Sequence, residues 1–184
     1  MPAKIAIGLA AVLAVLALVI ATRPAAFRVQ RTATIAAPAE VVYAQLDDLH
    51  RWGQWNPFEK SDPSTRLTFS GPARGVGSSY HFAGKQMGEG RMTIAELAPN
   101  QRVAIRAEFI KPMAATHRIE FTLQPAANGA VSLTWAMSGR NGFLGKAVSL
   151  FVDMDRMVGG EFEKGLADLK RISEAQAATA VAAR

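Results

Sequence analysis

The feature that most constrains the fold is a series of six segments, between Arg66 and Met137, in which apolar and polar residues alternate. Such alternation is typical of β-strands with one buried face. Short turn sequences such as Ser70-Gly71-Pro72 and Asn128-Gly129 separate the segments, which predicts an antiparallel meander. One of its strands is predicted from Val76 to Phe82. The positions predicted to face its interior are Phe69, Tyr80, Phe82, Met92, Ile94, Ile105, Ala107, Phe109, Ile119, Phe121, Leu133, Trp135 and Met137.

The segment after the last strand has helical periodicity instead. Apolar residues spaced three or four apart predict one amphipathic helix of about 28 residues, from about Phe143 to Ile172. Its apolar stripe is polar only at Asp155, and the pair Gly159-Gly160 costs about 2 kcal/mol in a helix interior. The glycines therefore predict a close approach to the sheet or a kink. The alanine-rich residues 173–184 are expected to fray.

The segment ahead of the meander predicts one more strand and two short helices. Phe27 to Ile35 contains the alternation of a strand. Pro38 then suits a first helical position, and Glu40 is favoured near the helix N-terminus by the helix dipole. A second helical turn is predicted from His50 to Trp55.

The N-terminus carries an uninterrupted apolar run. Every residue from Ile5 to Ala21 is apolar, and the uncharged stretch extends to Thr22. As a helix it would span about 27 Å, slightly less than a typical hydrocarbon core. The run therefore predicts a single-pass membrane anchor. The alternative is a signal peptide cleaved at Val19-Ile20-Ala21, but no polar, small-residue segment precedes that site and Arg23-Pro24 follows it directly.

The side of the membrane stays open at this point. Lys4 precedes the run, and Arg23, Arg28 and Arg31 follow it, so a count of positive charges favours a cytoplasmic domain. A lysine ahead of a short apolar run is also the usual arrangement of a signal anchor, which exports the C-terminal part. The second arrangement is preferred, and it predicts an extracytoplasmic domain.

Two short motifs about a hundred residues apart resemble the two ends of the START-like (SRPBCC) superfamily, in particular its polyketide cyclase and lipid transport branch. The first motif comprises Ala37-Pro38-Ala39-Glu40-Val41-Val42, then Asp47-Asp48-Leu49, Trp52, Trp55 and Pro57. The second comprises Gly160-Glu161-Phe162-Glu163-Lys164-Gly165-Leu166 and Leu169-Lys170. The resemblance covers roughly Phe27 to Ile172, which is most of the chain.

This resemblance implies an α+β, helix-grip (START-like) fold, in which a seven-stranded antiparallel sheet wraps around a long C-terminal helix and leaves a cavity between them. One N-terminal transmembrane helix precedes it. The predicted organisation is an anchor and linker over residues 1–26, a ligand-binding domain over 27–172, and a tail over 173–184.

Composition and motifs exclude several kinds of chemistry. The chain has no cysteine, so disulfides, thiol nucleophiles and thiolate zinc sites are excluded. The three histidines, His50, His81 and His117, lack the spacing of a metal site. The net charge of +6 is scattered along the chain, which does not predict a nucleic-acid groove. No metal, cofactor or nucleic-acid partner is predicted.

The remaining candidate site is the cavity that the resemblance implies. Aromatic and methionine side chains adapt to irregular apolar ligands, so we expect a membrane-anchored binding module for a hydrophobic or amphipathic molecule such as a lipid, isoprenoid or polyketide-like compound. The alternative is an aromatase/cyclase-type enzyme, with Tyr80, Arg91 and His117 as residues to test. The predicted ligand-binding residues are Trp52, Trp55, Phe58, Tyr80, Phe82, Met92, Ala107, Phe109, His117, Trp135, Phe151 and Met154.

Overall fold

A computed structural model describes residues 2–182 and confirms the predicted architecture of a seven-stranded antiparallel sheet, a long C-terminal helix and an apolar N-terminal helix. The helices are α1 (Pro2–Thr22), α2 (Ala39–Leu46), α3 (Pro57–Ser61), α4 (Phe143–Val148) and α5 (Met154–Ala182), with 3₁₀ turns at Leu49–Gln54 and Ala127–Gly129. The strands are β1 (Ala26–Ile35), β2 (Arg66–Ser70), β3 (Ser79–Gly84), β4 (Gly88–Ala98), β5 (Arg102–Lys111), β6 (Ala115–Pro125) and β7 (Val131–Arg140).

The sheet has the strand order β1-β7-β6-β5-β4-β3-β2, so β2 to β7 form the predicted meander and β1 pairs with the last strand. Ala26 lies opposite Arg140, and Phe109 lies opposite Ala115. The start of β1, the end of β7 and the β5–β6 turn therefore lie at one end of the sheet. We call this the proximal end, because α1 leads directly into it.

Helix α5 packs on the inner face of the sheet. Its side chains Phe162, Leu166 and Leu169 are at most 2% exposed. The ring of Phe162 stacks on Trp135 of β7, with centroids 4.2 Å apart and planes 12° apart. A Cβ at Gly165 would lie 2.6 Å from the Trp135 ring, so glycine at this position lets the helix approach the strand.

The prediction of one continuous helix from Phe143 to Ile172 is wrong at both ends. The regular helix α4 ends at Val148, and residues 149–153 form a turn and a short loop before α5 begins at Met154. Asp153 then caps α5, since its Oδ1 accepts a hydrogen bond from the Arg156 backbone N–H at 3.0 Å, which is a typical N-cap contact. At the other end the helix continues beyond Ile172 to Ala182. Ser173, the first residue of this extension, is fully buried.

Two predictions for the start of the meander also differ from the structure. The strand predicted from Val76 begins only at Ser79, and Val76 lies 57% exposed in the preceding loop. Phe69 is 38% exposed, because β2 is the edge strand of the sheet. Its ring stacks on His50 with centroids 4.1 Å apart.

Asp155, the one polar residue of the apolar helical stripe, pairs with Arg31 of β1. Arg31 donates to Asp155 Oδ2 at 3.1 Å and to Glu163 Oε1 at 2.7 Å, and so clamps the first turns of α5 to the sheet. Gly159 is buried beside this guanidinium, which a Cβ would overlap. The predicted close approach of the Gly159-Gly160 pair to the sheet is therefore confirmed at Gly159.

We expect Phe162→Ala to lower the free energy of unfolding by about 3–5 kcal/mol, because it removes a fully buried ring. Urea unfolding of the detergent-solubilised chain, followed by tryptophan fluorescence, measures this change. The matched control is Phe143→Ala, since Phe143 is 57% exposed and its loss should cost no more than about 0.5 kcal/mol. A loss below about 1 kcal/mol for Phe162→Ala would contradict the packing described.

The Arg31 clamp should make stability depend on pH. Hydrogen bonds from Arg31 hold the pKa of Asp155 below its usual range, so its stabilisation is present above the unfolded pKa of about 3.9 and is lost as the pH falls through the folded value. Asp155→Asn should lower Tm at pH 7, and its difference from the unaltered protein should shrink in acid.

Asp153→Asn is the matched control for this prediction, because asparagine caps helices as well as aspartate does. It should leave Tm nearly unchanged at both pH values. Equal Tm losses for Asp155→Asn at neutral and acidic pH would contradict an electrostatic role for the clamp.

Candidate functional site

A cavity of about 540 Å³ lies at the proximal end of the sheet, between β1, the start of β6 and the loop that joins α4 to α5. Its apolar lining consists of Pro24, Phe27, Val29, Leu150, Phe151, Val152 and Met154. Its polar lining consists of Arg23, Arg28, His117, Asn141, Ser149, Asp153 and Asp155. The lining is therefore amphipathic.

The break between α4 and α5 creates one wall of this cavity. Residues 149–153 all line it, and they lie here because Asp153 ends the loop by capping α5. A continuous helix would have placed the same residues on regular turns. The capping residue Asp153 is visible in the sequence, but the apolar stripe continues on both sides of it and therefore predicts an unbroken helix.

His117 of β6 is a partly buried polar residue that lines this cavity. Its ring lies between Phe27 and Phe109, with centroid distances of 5.0 and 5.3 Å. Burial lowers the pKa of His117, which favours the neutral ring. Its Nδ1 is buried and has no hydrogen-bond partner among residues 2–182.

Charged groups surround the cavity unevenly. Asp155 is engaged by Arg31, which leaves Arg23, Arg28 and Asp153 as the other charged lining residues. Both arginines are exposed. The rim therefore carries more positive than negative charge, which favours a ligand with an acidic or strongly polar head.

The predicted ligand-binding residues occupy three different environments. Those buried in the packed core are Trp52, Trp55, Tyr80, Phe82, Met92, Ala107 and Trp135. Those partly buried against that core are Phe58 and Phe109. Those lining the cavity are His117, Phe151 and Met154, and Phe151 is 85% exposed at its mouth.

The core between sheet and α5 is filled by aromatic rings in contact. Trp52 and Trp55 have centroids 5.1 Å apart, and Trp55 and Trp135 have centroids 5.5 Å apart. The indoles of Trp52 and Trp55 donate to backbone carbonyls of α2 at 3.2 and 3.3 Å. Ligand contact at these core residues stays a prediction.

A second group of polar atoms lies inside this core. The Tyr80 hydroxyl and the Trp135 Nε1 are buried and have no hydrogen-bond partner in the described part of the chain. Glu59 of α3 accepts a hydrogen bond from the Asn56 amide at 3.2 Å. Burial raises the pKa of Glu59, and burial followed by the neighbouring charge of Glu59 raises the pKa of Tyr80. The carboxyl and the phenol therefore lie near each other, outside direct hydrogen-bond geometry.

Sequence reasoning missed Glu59 and most of the cavity wall. Glu59 stands in the first turn of a short helix, where an acidic residue is normally explained by the helix dipole. The signal for the wall residues Leu150 and Val152 was the capping aspartate that follows them.

A larger groove of about 1080 Å³ lies at the ends of β2, β3 and β4. It is open to solvent and its rim includes Thr65, Arg66, Lys85, Glu89 and Lys111. None of the predicted ligand-binding residues lines it. His117, Phe151 and Met154 line the smaller cavity instead, which makes it the better candidate site.

Helix α1 is long and apolar enough to cross a membrane. Its segment Lys4–Thr22 has 19 residues and a mean hydropathy of 2.8. Most of the side chains described in this helix are exposed, whereas Ile20 is buried. Length and composition of this kind are shared by membrane anchors and signal sequences.

Solved structures show the same fold at low sequence identity. CV1439 from Chromobacterium violaceum is 19% identical, with a TM-score of 0.57 over 83% of this chain and 99% of its own. The Aha1 dimer from Colwellia psychrerythraea is 18% identical, with a TM-score of 0.57 over 80% and 96%. DynU16, a protein of the dynemicin biosynthetic locus, is 19% identical, with a TM-score of 0.55 over 82% and 48%.

No curated protein matches the sequence. The family model for polyketide cyclase/dehydrase and lipid transport matches residues 26–174, which spans the whole sheet and most of α5. The chain therefore belongs to the polyketide cyclase/dehydrase and lipid transport family.

Proposed function

We propose that this protein is a membrane-anchored module that binds a hydrophobic or amphipathic small molecule in the cavity at the proximal end of the sheet. Helix α1 is the anchor, and the binding domain is extracytoplasmic. The observation that carries the proposal is the amphipathic cavity itself, in which an apolar wall lies beside a basic rim and beside His117, whose Nδ1 has no hydrogen-bond partner among the described residues.

The dimensions of the cavity suit a small ligand. Its volume of about 540 Å³ lies within the range of ligand sites in proteins, roughly 300–1,000 Å³. Burying about 300 Å² of apolar ligand surface would contribute roughly 7 kcal/mol before the costs of ordering. His117 would orient a hydroxyl or carbonyl of the ligand, and Arg23 and Arg28 would favour an acidic group at the mouth.

The comparisons support this class of ligand. The matching family model carries lipid transport in its description, and DynU16 is described as a protein of the dynemicin biosynthetic locus. Isoprenoids, fatty acids and polyketide-like compounds share the required chemistry, an apolar body with few polar groups.

Ligand binding is tested by filling the cavity. Ser149→Trp places a large ring on its wall and should reduce the affinity for an anthroyloxy-labelled fatty acid by at least about tenfold, which corresponds to about 1.4 kcal/mol. Fluorescence titration of the detergent-solubilised chain measures this affinity, and native mass spectrometry of the same sample identifies co-purifying molecules.

The matched control is Thr179→Trp in α5. Thr179 and Ser149 both donate a side-chain hydrogen bond to a preceding backbone carbonyl, at 3.0 and 2.7 Å, but Thr179 is exposed and does not line the cavity. Unchanged affinity in Ser149→Trp, or equal losses in both variants, would contradict binding in this cavity.

The second candidate function is an enzyme of the aromatase/cyclase type. The specific observation in its favour is that Glu59, whose pKa is raised by burial, lies near the Tyr80 hydroxyl, which has no hydrogen-bond partner within residues 2–182. A carboxyl whose pKa is raised, placed near a phenol, is an arrangement that can donate protons to a carbonyl oxygen during enolisation.

Tyr80→Phe and Glu59→Gln separate the two functions. If the protein only binds its ligand, both variants should keep an affinity close to that of the unaltered chain, because neither residue lines the cavity. If it converts a polyketone substrate, turnover followed by absorbance should fall by about a hundredfold or more in either variant, with little change in affinity.

A further inference from the structure

We propose that α4 and the loop that follows it, residues 143–153, rest on the surface of the bilayer that holds α1, so that the cavity takes its ligand from that leaflet. This inference rests on the proposed function. The inference adds an interaction surface to that function, here called the α4 surface (residues 143–153). The partner of this surface is a phospholipid bilayer with anionic headgroups.

The first argument is the exposed apolar area of the α4 surface. Phe143, Leu144, Val148 and Phe151 are 57%, 61%, 41% and 85% exposed, and Met157 in the next helical turn is 55% exposed. Only four other large apolar side chains outside α1 are comparably exposed in the described residues, and they are scattered over three separate segments. Several exposed apolar side chains concentrated within one short segment mark a candidate interaction site.

The second argument is contact between α4 and the end of α1. Lys146 of α4 donates through Nζ to the backbone carbonyl of Ala21 at 3.1 Å. This carbonyl belongs to the last turn of α1, where helices leave acceptors unpaired. Since Ile20 is also buried against the domain, α4 lies beside the C-terminal end of α1. With α1 across the bilayer, that end lies at the level of the headgroups, and α4 lies there with it.

The third argument is charge. Arg23, Arg28, Arg140 and Arg156 are exposed close to the patch, and Lys146 lies within it. The one acidic residue within the α4 surface, Asp153, caps α5, and Asp155 in the first turn of α5 is paired with Arg31, so the basic residues outnumber the acidic ones here. Apolar side chains beside basic residues are the typical composition of a segment that lies in the membrane interface.

The fourth argument connects this surface to the cavity. Leu150, Phe151 and Val152 belong to the α4 surface and also line the cavity. When these residues rest on the bilayer, the mouth of the cavity opens at the boundary between headgroups and acyl chains. An apolar ligand dissolved in the leaflet then enters without crossing water.

The experiment uses the full chain reconstituted in vesicles of phosphatidylcholine and phosphatidylglycerol. The chain has no native cysteine, so single substitutions can be labelled specifically with the environment-sensitive dye NBD. The test positions are Leu144→Cys and Phe151→Cys. The matched control is Val76→Cys, since Val76 is 57% exposed in a loop before β3, away from α4. Leu13→Cys, in the middle of α1, reports insertion of the anchor.

We expect spin-labelled lipids with a shallow doxyl group to quench the labels at positions 144 and 151 at least twofold more than the label at position 76. Lipids with a deep doxyl group should quench the label at position 13. If the label at 13 is quenched while those at 144 and 151 behave like the label at 76, the α4 surface does not touch the bilayer and this inference fails alone. If the label at 13 is also unquenched, the anchor fails and both proposals are overturned.

A second measurement tests delivery of the ligand. Leu144→Asp should slow the transfer of an anthroyloxy-labelled fatty acid from vesicles to the protein at least fivefold, whereas Val76→Asp should not. Leu144 belongs to the α4 surface but does not line the cavity, so binding of the same probe from detergent solution should remain in Leu144→Asp, which shows that the variant is folded and its cavity intact. Equal transfer rates in both variants would contradict uptake through this surface.

Discussion

The structure depends on how much of an amphipathic helix the sheet can cover. The inner face of the sheet buries α5 from Val158 to Ser173, a length of about 24 Å at the rise of an α-helix. The apolar stripe in the sequence is longer than this, because it begins near Phe143. At the point where coverage ends, Arg31 holds Asp155 and Glu163, and Asp153 closes the helix cap. The apolar residues that lie beyond the part of the helix covered by the sheet form α4 and one wall of the cavity, and they do not join the core.

The order and pairing of the strands follow directly from the sequence. Alternation fixes which face of each strand is buried, and turns such as Asn128-Gly129 limit neighbouring strands to antiparallel pairs. The predictions that failed concern residues whose exposure depends on where their strand or loop lies in the sheet. Phe69 alternates correctly but lies on the edge strand, and Val76 belongs to a loop in which its alternation with Ser78 and Tyr80 resembles that of a strand.

The site was less predictable than the fold for a different reason. Periodicity identifies the buried face of an element, but an empty cavity and a filled core have the same periodicity. Trp135 and Phe162 would be apolar whether they lined a cavity or filled a core. The stacking of their rings fills the space between them, and it follows from three-dimensional packing, which the periodicity does not record. Glu59 was missed because its burial depends on α3 folding against the core, which no local pattern records. His117 was assigned to the site because its strand phase placed it inward.

The short connection between α1 and β1 has a consequence for where the protein can act. Residues 23–25 separate the helix from the strand, and three residues reach no further than about 11 Å when fully extended. With α1 inserted as proposed, the domain explores only a small disc of one leaflet and cannot approach a second membrane. Its encounter with a ligand becomes a lateral, two-dimensional search, and any onward transfer requires the acceptor to come to it.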